Sequence, residues 1–438
     1  MALRPVFAYW LCCQVLWAHP RPRTSPGPME TTMALQPSSP DQPETGLYRG
    51  EVSRLLAAFE RRGLDTPCFV LDQTLFRRNA ELLGRVQNET GAKILLAQKA
   101  FACFGLYSLL RGYLAGTTAS GLHEARLGHE EFGGEVHVFS PAYKPAEMTA
   151  LLGIADHLVF NSLGQWRRYR DEVLAAVPRI SAGLRINPEY SEAVAEIYDP
   201  CAPGSRFGVL ARQLAAAEPG DLEGLEGLHF HTLCEQGASA LAGTLHAVFD
   251  KFDPYLRRMR WLNFGGGHLV TSPGYDVARL VSLIRETQER HPHLRLYLEP
   301  GEAIAVGTGV LIGTVIDIVE NGLPIAVLDV SATTHMPDVL EMPYRPVVEG
   351  GGEPGERAHT YRLGGPTCLA GDVIGDYSFD APLAIGDRIV FHDMSHYTIV
   401  KTTTFNGVPL PSIAILGEDG EIGSVRQFGY EDYRMRLG

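Results

Sequence analysis

Short apolar strands alternate with helical segments from Gly91 to about residue 310, and this alternation is the strongest constraint on the fold. Strands that alternate with helices imply parallel pairing through crossover connections, and eight of them predict an α/β protein with a closed (β/α)8 TIM-type barrel. The candidate strands are Lys93–Gln98, Gly116–Ala119, Val136–Ser140, His157–Phe160, Ala182–Asn187, Gly227–Thr232, Arg260–Phe264 and Leu294–Glu299. The expected helices include Leu75–Asn88, Phe101–Tyr113, Leu122–Glu131, Leu163–Ala176, Ala238–Phe252 and Val277–Arg290.

The pattern changes near Leu311, after which strands follow one another and indicate a separate β domain. The strands expected there are Val310–Glu320, Ile325–Val330, Arg388–His392, Thr398–Lys401 and Ser412–Leu416. The early strand Thr66–Asp72 is expected to join them, so that the barrel is inserted into the β domain. A chain of 438 residues fits two domains. We therefore expect an N-terminal helix and strand over residues 47–72, the barrel over 73–310 and a C-terminal all-β domain over 311–438.

Composition narrows the functional classes. A formal net charge of −13 argues against a nucleic-acid-binding surface and is compatible with a cationic substrate. The seven cysteines show no CxxC or short zinc-type spacing, so neither a disulfide framework nor a structural zinc is indicated, and a reducing, cytoplasmic location is expected. No later apolar run approaches the length of a membrane-spanning helix.

Residues 1–46 differ in character from the rest of the chain. An apolar stretch from Val6 to Ala18 is followed by a segment rich in Pro, Ser and Thr without periodicity. The stretch imitates a signal peptide poorly, and a start codon assigned too far upstream explains it equally well, since Met29 and Met33 follow. We expect this extension to be disordered.

Four unusual groups of residues follow predicted barrel strands. Lys99 follows the first strand, His231 ends the sixth, a glycine run over 265–267 follows the seventh, and Glu299 ends the eighth. Active sites of such barrels lie where the strands meet the loops at their C-terminal ends. All four groups are therefore expected at one mouth of the barrel.

These residue types fit pyridoxal phosphate and an amino-acid decarboxylase. A lysine amine that loses its charge near neutral pH can hold a carbonyl as a Schiff base, which suits Lys99. The glycine run lets backbone N–H groups approach a phosphate, although an ordinary tight turn would also use glycines. Glu299 could keep the ring nitrogen of the cofactor protonated, which favours decarboxylation because the ring then accepts electrons readily.

A histidine pair leaves a rival hypothesis open. His229 and His231 share one face of a strand, with His231 nearer the mouth. His231 could stack on a cofactor ring, and His229 could be a buried, hydrogen-bonded histidine. Together with His268 and Glu299 the pair also suggests a metal-dependent hydrolase, which would leave Lys99 and the glycine run without a role.

Cys368 lies in a Gly-Gly-Pro-Thr-Cys loop of the β domain. Cysteines in folded proteins are usually inert, buried and apolar. In a loop that returns to the mouth of its own or a neighbouring subunit, the thiol could instead deliver a proton to Cα after carbon dioxide leaves.

The ordered motifs of this chain resemble the fold-type III pyridoxal phosphate decarboxylases, which include the ornithine and diaminopimelate enzymes. The resemblance covers roughly residues 60–430 and rests on Ala-Gln-Lys-Ala, His-Phe-His, Asn-Phe-Gly-Gly-Gly, Glu-Pro-Gly, Gly-Pro-Thr-Cys and Tyr397 followed by Thr-Phe-Asn-Gly. More narrowly, the segments Leu95–Phe101, His229–Glu235 and His335–Pro346 look like carboxynorspermidine and carboxyspermidine decarboxylases.

The resemblance implies an alanine racemase-like barrel with pyridoxal phosphate, and it assigns roles to the residues at its mouth. Lys99 would hold the cofactor aldehyde, His231 would stack on the ring, and Glu299 would bind the ring nitrogen. The residues implied to approach the phosphate are Gly266, Gly267, Gly301 and Tyr397. A head-to-tail homodimer is also implied, in which Cys368 and Asp372 reach into the partner's site.

Two departures from the ornithine enzymes bear on the cofactor and the substrate. Glu302 stands where those enzymes carry Arg after Glu-Pro-Gly, which puts one phosphate contact in doubt, and Arg345 stands where they carry Asp. An arginine can bind a carboxylate through two hydrogen bonds, so Arg345 argues for a substrate whose carboxylate lies differently, such as a carboxylated polyamine. Candidates for its ammonium groups are Asp338, Glu341 and Asp372. Norspermidine or spermidine would be the product.

Diaminopimelate, or another basic amino acid, is the alternative substrate for a decarboxylase of this kind. A regulatory relative without catalysis would be the alternative outside enzymes, but it would not need Lys99, Glu299 and Cys368 all intact.

Overall fold

The computed structural model describes residues 49–193, 198–218 and 220–438, so the predicted disordered extension over residues 1–46 lies outside the described residues. Within them the strands are β1 (Cys68–Asp72), β2 (Lys93–Ala97), β3 (Gly116–Ala119), β4 (Glu135–Phe139), β5 (His157–Phe160), β6 (Ser181–Asn187), β7 (Val209–Leu210), β8 (Leu225–His229), β9 (Trp261–Asn263), β10 (Arg295–Leu298), β11 (Gly309–Glu320), β12 (Pro324–Leu328), β13 (His359–Gly364), β14 (Val373–Phe379), β15 (Arg388–His392), β16 (Ser412–Leu416) and β17 (Ile422–Arg426).

The α-helices of the described residues vary from single turns to five turns. They are α1 (Arg49–Arg62), α2 (Gln73–Thr90), α3 (Tyr107–Leu110), α4 (Leu122–Leu127), α5 (Pro145–Leu151), α6 (Leu163–Ala175), α7 (Ala211–Ala215), α8 (Ala238–Leu256), α9 (Val277–Arg290), α10 (Glu302–Ala305), α11 (Ala332–His335), α12 (Asp338–Glu341), α13 (Thr398–Lys401) and α14 (Tyr430–Met435).

Eight parallel strands close the barrel. The hydrogen-bonded order is β5-β4-β3-β2-β10-β9-β8-β6, and β6 pairs with β5 to complete the ring. These are the eight strands expected from the sequence, with ends that differ by at most three residues. The strands are almost wholly buried because the outer helices cover one face and packed side chains fill the other. The predicted barrel is confirmed.

A second, largely antiparallel sheet holds the rest of the strands. Its order is β14-β13-β12-β11-β1-β16-β17, with β15 paired to β11. Strand β1 precedes the barrel in sequence, yet it lies between β11 and β16 in this sheet. Helix α1 covers one face with Val52, Leu55 and Phe59, which are fully buried. The β-rich architecture after the barrel is therefore confirmed.

One predicted strand is wrong. The mostly β-branched residues of Thr398–Lys401 predict an extended segment, but this segment forms the single turn α13. Tyr397 begins this turn with a φ of 41°, and its carbonyl accepts hydrogen bonds from the N–H groups of Val400 and Lys401. Strands β13, β14 and β17 are not predicted by the sequence pattern at all.

Among the described residues, no helix combines the length and the apolar character that crossing a membrane requires.

Candidate active site

The residues expected at the mouth of the barrel do lie together there. Lys99 follows β2, His231 follows β8, the glycine run follows β9, and Glu299 follows β10. Because all eight strands run in parallel, these positions share one end of the barrel.

Lys99 and His231 form the centre of the site. Lys99 Nζ lies 3.3 Å from His231 Nε2, and His231 Nδ1 accepts a 2.8 Å hydrogen bond from the N–H of Gly266. The Lys99 side chain is accessible to solvent, yet the protein around its amine takes the place of part of the water. This desolvation, together with the charge of Arg185, lowers the pKa of Lys99, which favours the neutral amine that carbonyl chemistry needs.

Glu299 is a buried and ionised carboxylate. Asn263 donates a 2.7 Å hydrogen bond to Glu299 Oε1, and His229 Nε2 lies 3.3 Å from Oε2. Burial alone would raise the pKa of Glu299, but the neighbouring His229, His137 and Asn263 hold it down at about 2. Burial lowers the pKa of His229 itself, so Glu299 remains charged beside a largely neutral imidazole. Such a carboxylate can stabilise a protonated ring nitrogen.

The glycine run packs against neighbouring backbone so closely that no side chain fits. A Cβ at Gly266 would lie 2.3 Å from the carbonyl oxygen of Glu299, and one at Gly267 would lie 2.0 Å from that of Leu233. Gly301 is equally restricted, since its Cβ would lie 2.7 Å from both Ala100 and the carbonyl of Ala97. Gly267 also has a φ of +85°, which favours glycine. The N–H groups of Gly265 and Gly266 already donate to Asn263 Oδ1 and His231 Nδ1, so within the described residues the N–H groups of Gly267 and Gly301 are the ones of these glycines left to suit an anion.

Tyr397 joins the site from the second sheet. Its backbone N–H donates a 2.8 Å hydrogen bond to the carbonyl of Ala100, directly after Lys99. Burial, followed by the nearby Glu302, raises the pKa of the Tyr397 phenol, which therefore stays protonated and able to donate a hydrogen bond. Tyr397 is thus positioned next to the Lys99 loop, and its approach to the phosphate stays a prediction.

Sequence reasoning missed Arg185. This side chain lies on β6, is 5% exposed, and its guanidinium sits 4.5 Å from the ring centre of Phe139 and 4.4 Å from that of Phe207. It donates a 3.2 Å hydrogen bond to the carbonyl of His231. The signal in the sequence is a lone arginine in the apolar strand Ala182–Asn187, a place where a charge is rarely found without a role.

Cys368 and Asp372 lie in a loop of the second sheet. Cys368 is exposed, and its N–H donates to Asn406 at 2.8 Å; among the described residues no hydrogen bond joins it to Lys99 of the same chain. Asp372 is 4% exposed and accepts hydrogen bonds from the side chains of Ser331 and Thr367 and from the N–H groups of Thr333 and Thr367. With its oxygens so engaged, Asp372 holds the Cys368 loop, and the contacts do not support its predicted binding of a substrate ammonium group.

Arg345 is also engaged within its own domain. Its guanidinium donates to the carbonyls of Gly352 and Asp376 at 3.2 and 3.1 Å, pairs with Glu353, and lies 4.7 Å from the ring centre of Tyr377. The guanidinium therefore stabilises the second sheet. Its predicted contact with a substrate carboxylate finds no support in this geometry.

Asp338 and Glu341 share one cation. Lys401 Nζ lies 2.5 Å from an oxygen of each carboxylate, and these hydrogen bonds raise the pKa of Lys401 against the opposing effect of burial. Asp338 also contributes, after burial, to the raised pKa of Tyr344. Asp338 therefore belongs to the acidic surroundings of the mouth, whereas Glu341 is exposed.

The rival metal site does not form. In the described part of the chain the group of side chains whose ligand atoms converge is Glu135, His137 and His157, at the opposite end of the barrel from Lys99. The two imidazole rings there stack in parallel at 3.9 Å, so their nitrogens do not point at a common ion, and Lys93 pairs with Glu135. His268 is buried, and burial lowers its pKa to about 4. These contacts do not favour the metal-dependent hydrolase.

The residues of the mouth fit pyridoxal phosphate. The N–H groups of Gly267 and Gly301, which make no hydrogen bond within the described residues, can donate to a phosphate, and Glu299 offers a charged oxygen to a ring nitrogen. Lys99 offers an amine of lowered pKa. Aldehyde, ring nitrogen and phosphate thus each have a chemically matched partner.

Comparisons with known proteins agree with this chemistry. The profile of the family described as "Pyridoxal-dependent decarboxylase, C-terminal sheet domain" matches residues 68–395. A carboxyaminopropylagmatine decarboxylase from a Synechocystis species is 51% identical over 376 residues, which are 86% of this chain and 96% of that protein. A carboxynorspermidine/carboxyspermidine decarboxylase from Campylobacter jejuni is 43% identical over 384 residues, 85% of this chain and 98% of that protein.

A solved structure extends the similarity to three dimensions. The crystal structure of carboxynorspermidine decarboxylase from Campylobacter jejuni, complexed with norspermidine, superimposes with a TM-score of 0.78 at 41% identity. The match covers 85% of this chain and all of that one. The barrel and the second sheet of this chain therefore both have counterparts in that structure.

Proposed function

Because the chain belongs to the pyridoxal-dependent decarboxylases, we propose that it removes the carboxylate of carboxynorspermidine or carboxyspermidine and releases norspermidine or spermidine. The observation that carries the proposal is the contact of Lys99 with His231, beside an ionised Glu299 and a glycine cradle. Identity of 43% to a relative of that name, over nearly its whole length, supports the substrate class.

Pyridoxal phosphate, when bound, supplies an aldehyde that condenses with amines and a ring that accepts the electron pair left by departing carbon dioxide. Lys99 would hold the aldehyde and give it up to the substrate amine. Glu299 would keep a proton on the ring nitrogen of the cofactor, and His231 would stack on the face of that ring. Gly267, Gly301 and Tyr397 would donate hydrogen bonds to the phosphate, which Gly266, whose N–H is bonded to His231, would approach.

The acidic surroundings of the mouth favour a substrate that carries several positive charges. Asp338 lies close enough to Glu235 to influence its ionisation, and Glu341 lies on the other side of the Lys401 amine that Asp338 contacts. A polyamine chain with its ammonium groups matches this negative charge, while its one carboxylate is directed at the cofactor. Asp338 and Glu341 remain our candidates for contact with the distal amines.

A second substrate is favoured by one specific observation. The Synechocystis relative, at 51% identity, is named for carboxyaminopropylagmatine. The two kinds of substrate share a carboxylated aminopropyl arm and differ at the far end, where one has an ammonium group and the other a guanidinium. The reaction at the cofactor would be the same in both cases.

We also propose that the enzyme is a homodimer with shared sites, in which the Cys368 loop reaches the partner's mouth and the thiol returns a proton to Cα. The exposure of Cys368, and the absence of a hydrogen bond to Lys99 within the described part of its own chain, support this arrangement. The free cysteines of the described residues are compatible with a cytoplasmic location.

The test is a comparison of kcat/KM under identical conditions for carboxyspermidine, carboxynorspermidine, carboxyaminopropylagmatine and diaminopimelate. We expect a carboxylated polyamine to be preferred by at least about 100-fold over diaminopimelate, because a site that pairs distal charges rejects substrates that leave it unpaired. Preference for diaminopimelate, or no turnover of any of the four, would overturn the proposal.

A further inference from the structure

Four titratable side chains lie together beside the glycine turn, three of them part-buried and Glu235 exposed, and the chemical step proposed above uses none of them. We call it the His396 cluster; it consists of Glu235, Glu302, Asp393 and His396. His396 Nε2 lies 3.3 Å from Asp393 Oδ1, and Nδ1 lies 3.8 Å from Glu302 Oε1. Asp393 also accepts a 2.7 Å hydrogen bond from the N–H of Gly307.

Asp393 and His396 form the ion pair of the cluster. Burial opposes both charges, yet the mutual attraction and the Gly307 hydrogen bond hold the pKa of Asp393 below its usual value. Burial would lower the pKa of His396, but Asp393 and Glu302 raise it to about 9. One imidazolium is thus matched by one carboxylate, and two carboxyl groups are left over.

Glu302 is the leftover carboxyl group that directly follows Gly301 in the chain. Its side chain is 13% exposed and makes no hydrogen bond within the described residues. Burial, with Glu235 and Asp393, raises the pKa of Glu302 to about 8 despite the opposing effect of His396. The other groups that act on it or respond to it are Lys99, Cys234 and Tyr397. At neutral pH it is therefore mostly a carboxylic acid, which can donate a hydrogen bond.

The position of Glu302 places it at the phosphate end of the site. It directly follows Gly301, which packs against Ala97 and Ala100, and it raises the pKa of the Tyr397 phenol. An ionised carboxylate there would repel a phosphate dianion, whereas a protonated one would bind it.

We propose that Glu302 binds the phosphate of pyridoxal phosphate as a neutral carboxylic acid, through a hydrogen bond donated by its O–H group. The proton stays on Glu302 in the complex. At a pH above the pKa of Glu302 in the free enzyme, binding of pyridoxal phosphate therefore adds a proton to Glu302. Because this uptake becomes harder as the pH rises, the phosphate contributes less to the affinity at high pH. This inference depends on the cofactor and is independent of which substrate is decarboxylated.

The experiment measures binding by the full-length protein after its cofactor has been removed by dialysis. Dissociation constants of pyridoxal phosphate and of pyridoxal, which lacks the phosphate, are determined by fluorescence between pH 7.5 and 9.5. The ratio of the two constants isolates the phosphate contact, because the titration of Lys99 affects both ligands alike. We define the phosphate advantage as the dissociation constant of pyridoxal divided by that of pyridoxal phosphate. For the wild-type protein we expect this phosphate advantage to fall by up to roughly tenfold per pH unit above pH 8.

Glu302→Gln decides whether Glu302 is the titrating group. Glutamine offers a neutral N–H donor of nearly the same shape, so the variant should retain the wild-type phosphate advantage at pH 7.5 within a few-fold and lose its pH dependence. Glu226→Gln, at the other end of the barrel, is the control and should behave as wild type. A flat ratio in the wild type, or an unchanged fall in Glu302→Gln, would overturn the proposal and would point instead to His396.

Calorimetry of the wild-type protein supplies a measurement that needs no variant. Titration with pyridoxal phosphate at pH 8.5, in buffers of different ionisation enthalpy, counts the protons taken up. We expect a larger uptake with pyridoxal phosphate than with pyridoxal. Equal uptake for the two ligands would contradict the role of Glu302 even if the variant failed to fold.

Discussion

At the scale of single residues, the lysine amine is the group on which the chemistry depends. Replacing Lys99 with Ala should reduce kcat by roughly 10³-fold or more, because among the described residues no other lysine amine contacts His231. The visible absorption of the bound cofactor should shift as well. Steady-state kinetics and an absorption spectrum of the purified variant check both expectations.

Lys93→Ala is the matched control for that variant. Lys93 begins β2, the strand that Lys99 follows, and at that opposite end of the barrel it pairs with Glu135. Its loss should leave the spectrum unchanged and activity within a few-fold of wild type. Comparable activity in the two variants would refute the assignment of Lys99.

A Glu299→Gln variant tests the proposed interaction of Glu299 with the ring nitrogen of the cofactor. Glu299→Gln should lower kcat by roughly 10²-fold or more, since an amide cannot stabilise a protonated ring nitrogen as a carboxylate does. The pKa of Glu299 is depressed to about 2, so its charge is present above that value and is lost only as the pH falls through it. Acid inactivation between pH 4 and 6 would therefore have to arise elsewhere. Kinetics as a function of pH measure both effects.

Glu135→Gln provides the comparison for Glu299→Gln. Glu135 also lies 3.1 Å from a histidine nitrogen, and the pairing with His137 and Lys93 lowers its pKa to about 2 against the effect of burial. It lies away from the mouth, so we expect little change in kcat. A decrease similar to that of Glu299→Gln would show that the loss of any buried carboxylate has this effect.

Residue-scale prediction from sequence succeeded where position along a strand was sufficient. Lys99, His231 and Glu299 follow barrel strands, so the fold brings them together without further information. It did not anticipate the contacts of Arg345, whose partners Gly352, Glu353 and Asp376 depend on how β13 and β14 fold around it. Charge complementarity alone could not reveal that an arginine was already paired.

At the scale of elements, the turn after β9 requires glycine. Gly267→Ala should destabilise the protein by about 1–3 kcal/mol, because the residue combines a positive φ with a carbonyl oxygen 2.0 Å from the new Cβ. Movement of the turn should also weaken cofactor binding. Thermal unfolding and a cofactor titration measure the two effects separately.

The Gly274→Ala variant separates the free-energy cost of a positive φ from the cost of a steric clash at the new Cβ. Gly274 has a φ of +81°, close to that of Gly267, and a Cβ at this position would have no described atom within 4 Å outside its chain neighbours. The substitution should cost about 1 kcal/mol and leave cofactor affinity unchanged. Equal losses in both variants would show that close packing at Gly267 has no effect beyond its φ.

Periodicity located the barrel strands well because each is short, apolar and bounded by turns. It failed for α13, where β-branched residues indicated a strand but hydrogen bonds to the carbonyl of Tyr397 produced a helical turn. It also missed β13 and β14, which carry the cross-strand pair Arg362 and Asp376 and look polar in sequence. We propose that the two sheets correspond to domains that divide near residue 310.

At the scale of the whole molecule, the proposed homodimer makes the position of one thiol testable. Cys368→Ala should lower kcat by roughly 10²-fold if its proton donation across the interface is needed, since correctly placed proton donors contribute about 10²–10⁴-fold. Cys234→Ala is the control: Cys234 influences Lys99 within the same chain, and burial, followed by Glu235, raises its pKa to about 12. Product analysis after each reaction detects misplaced protonation.

Mixing inactive variants distinguishes a shared site from one contained in a single chain. In a dimer of Lys99→Ala with Cys368→Ala, one site carries both defects and the other carries neither, if each site takes Lys99 from one subunit and Cys368 from its partner. Random exchange makes about half of the dimers mixed, so activity should recover to about a quarter of wild type. Each variant alone, carried through the same exchange, sets the baseline. If the thiol instead acted within its own chain, no combination of these subunits would contain an intact site, and mixing would restore nothing.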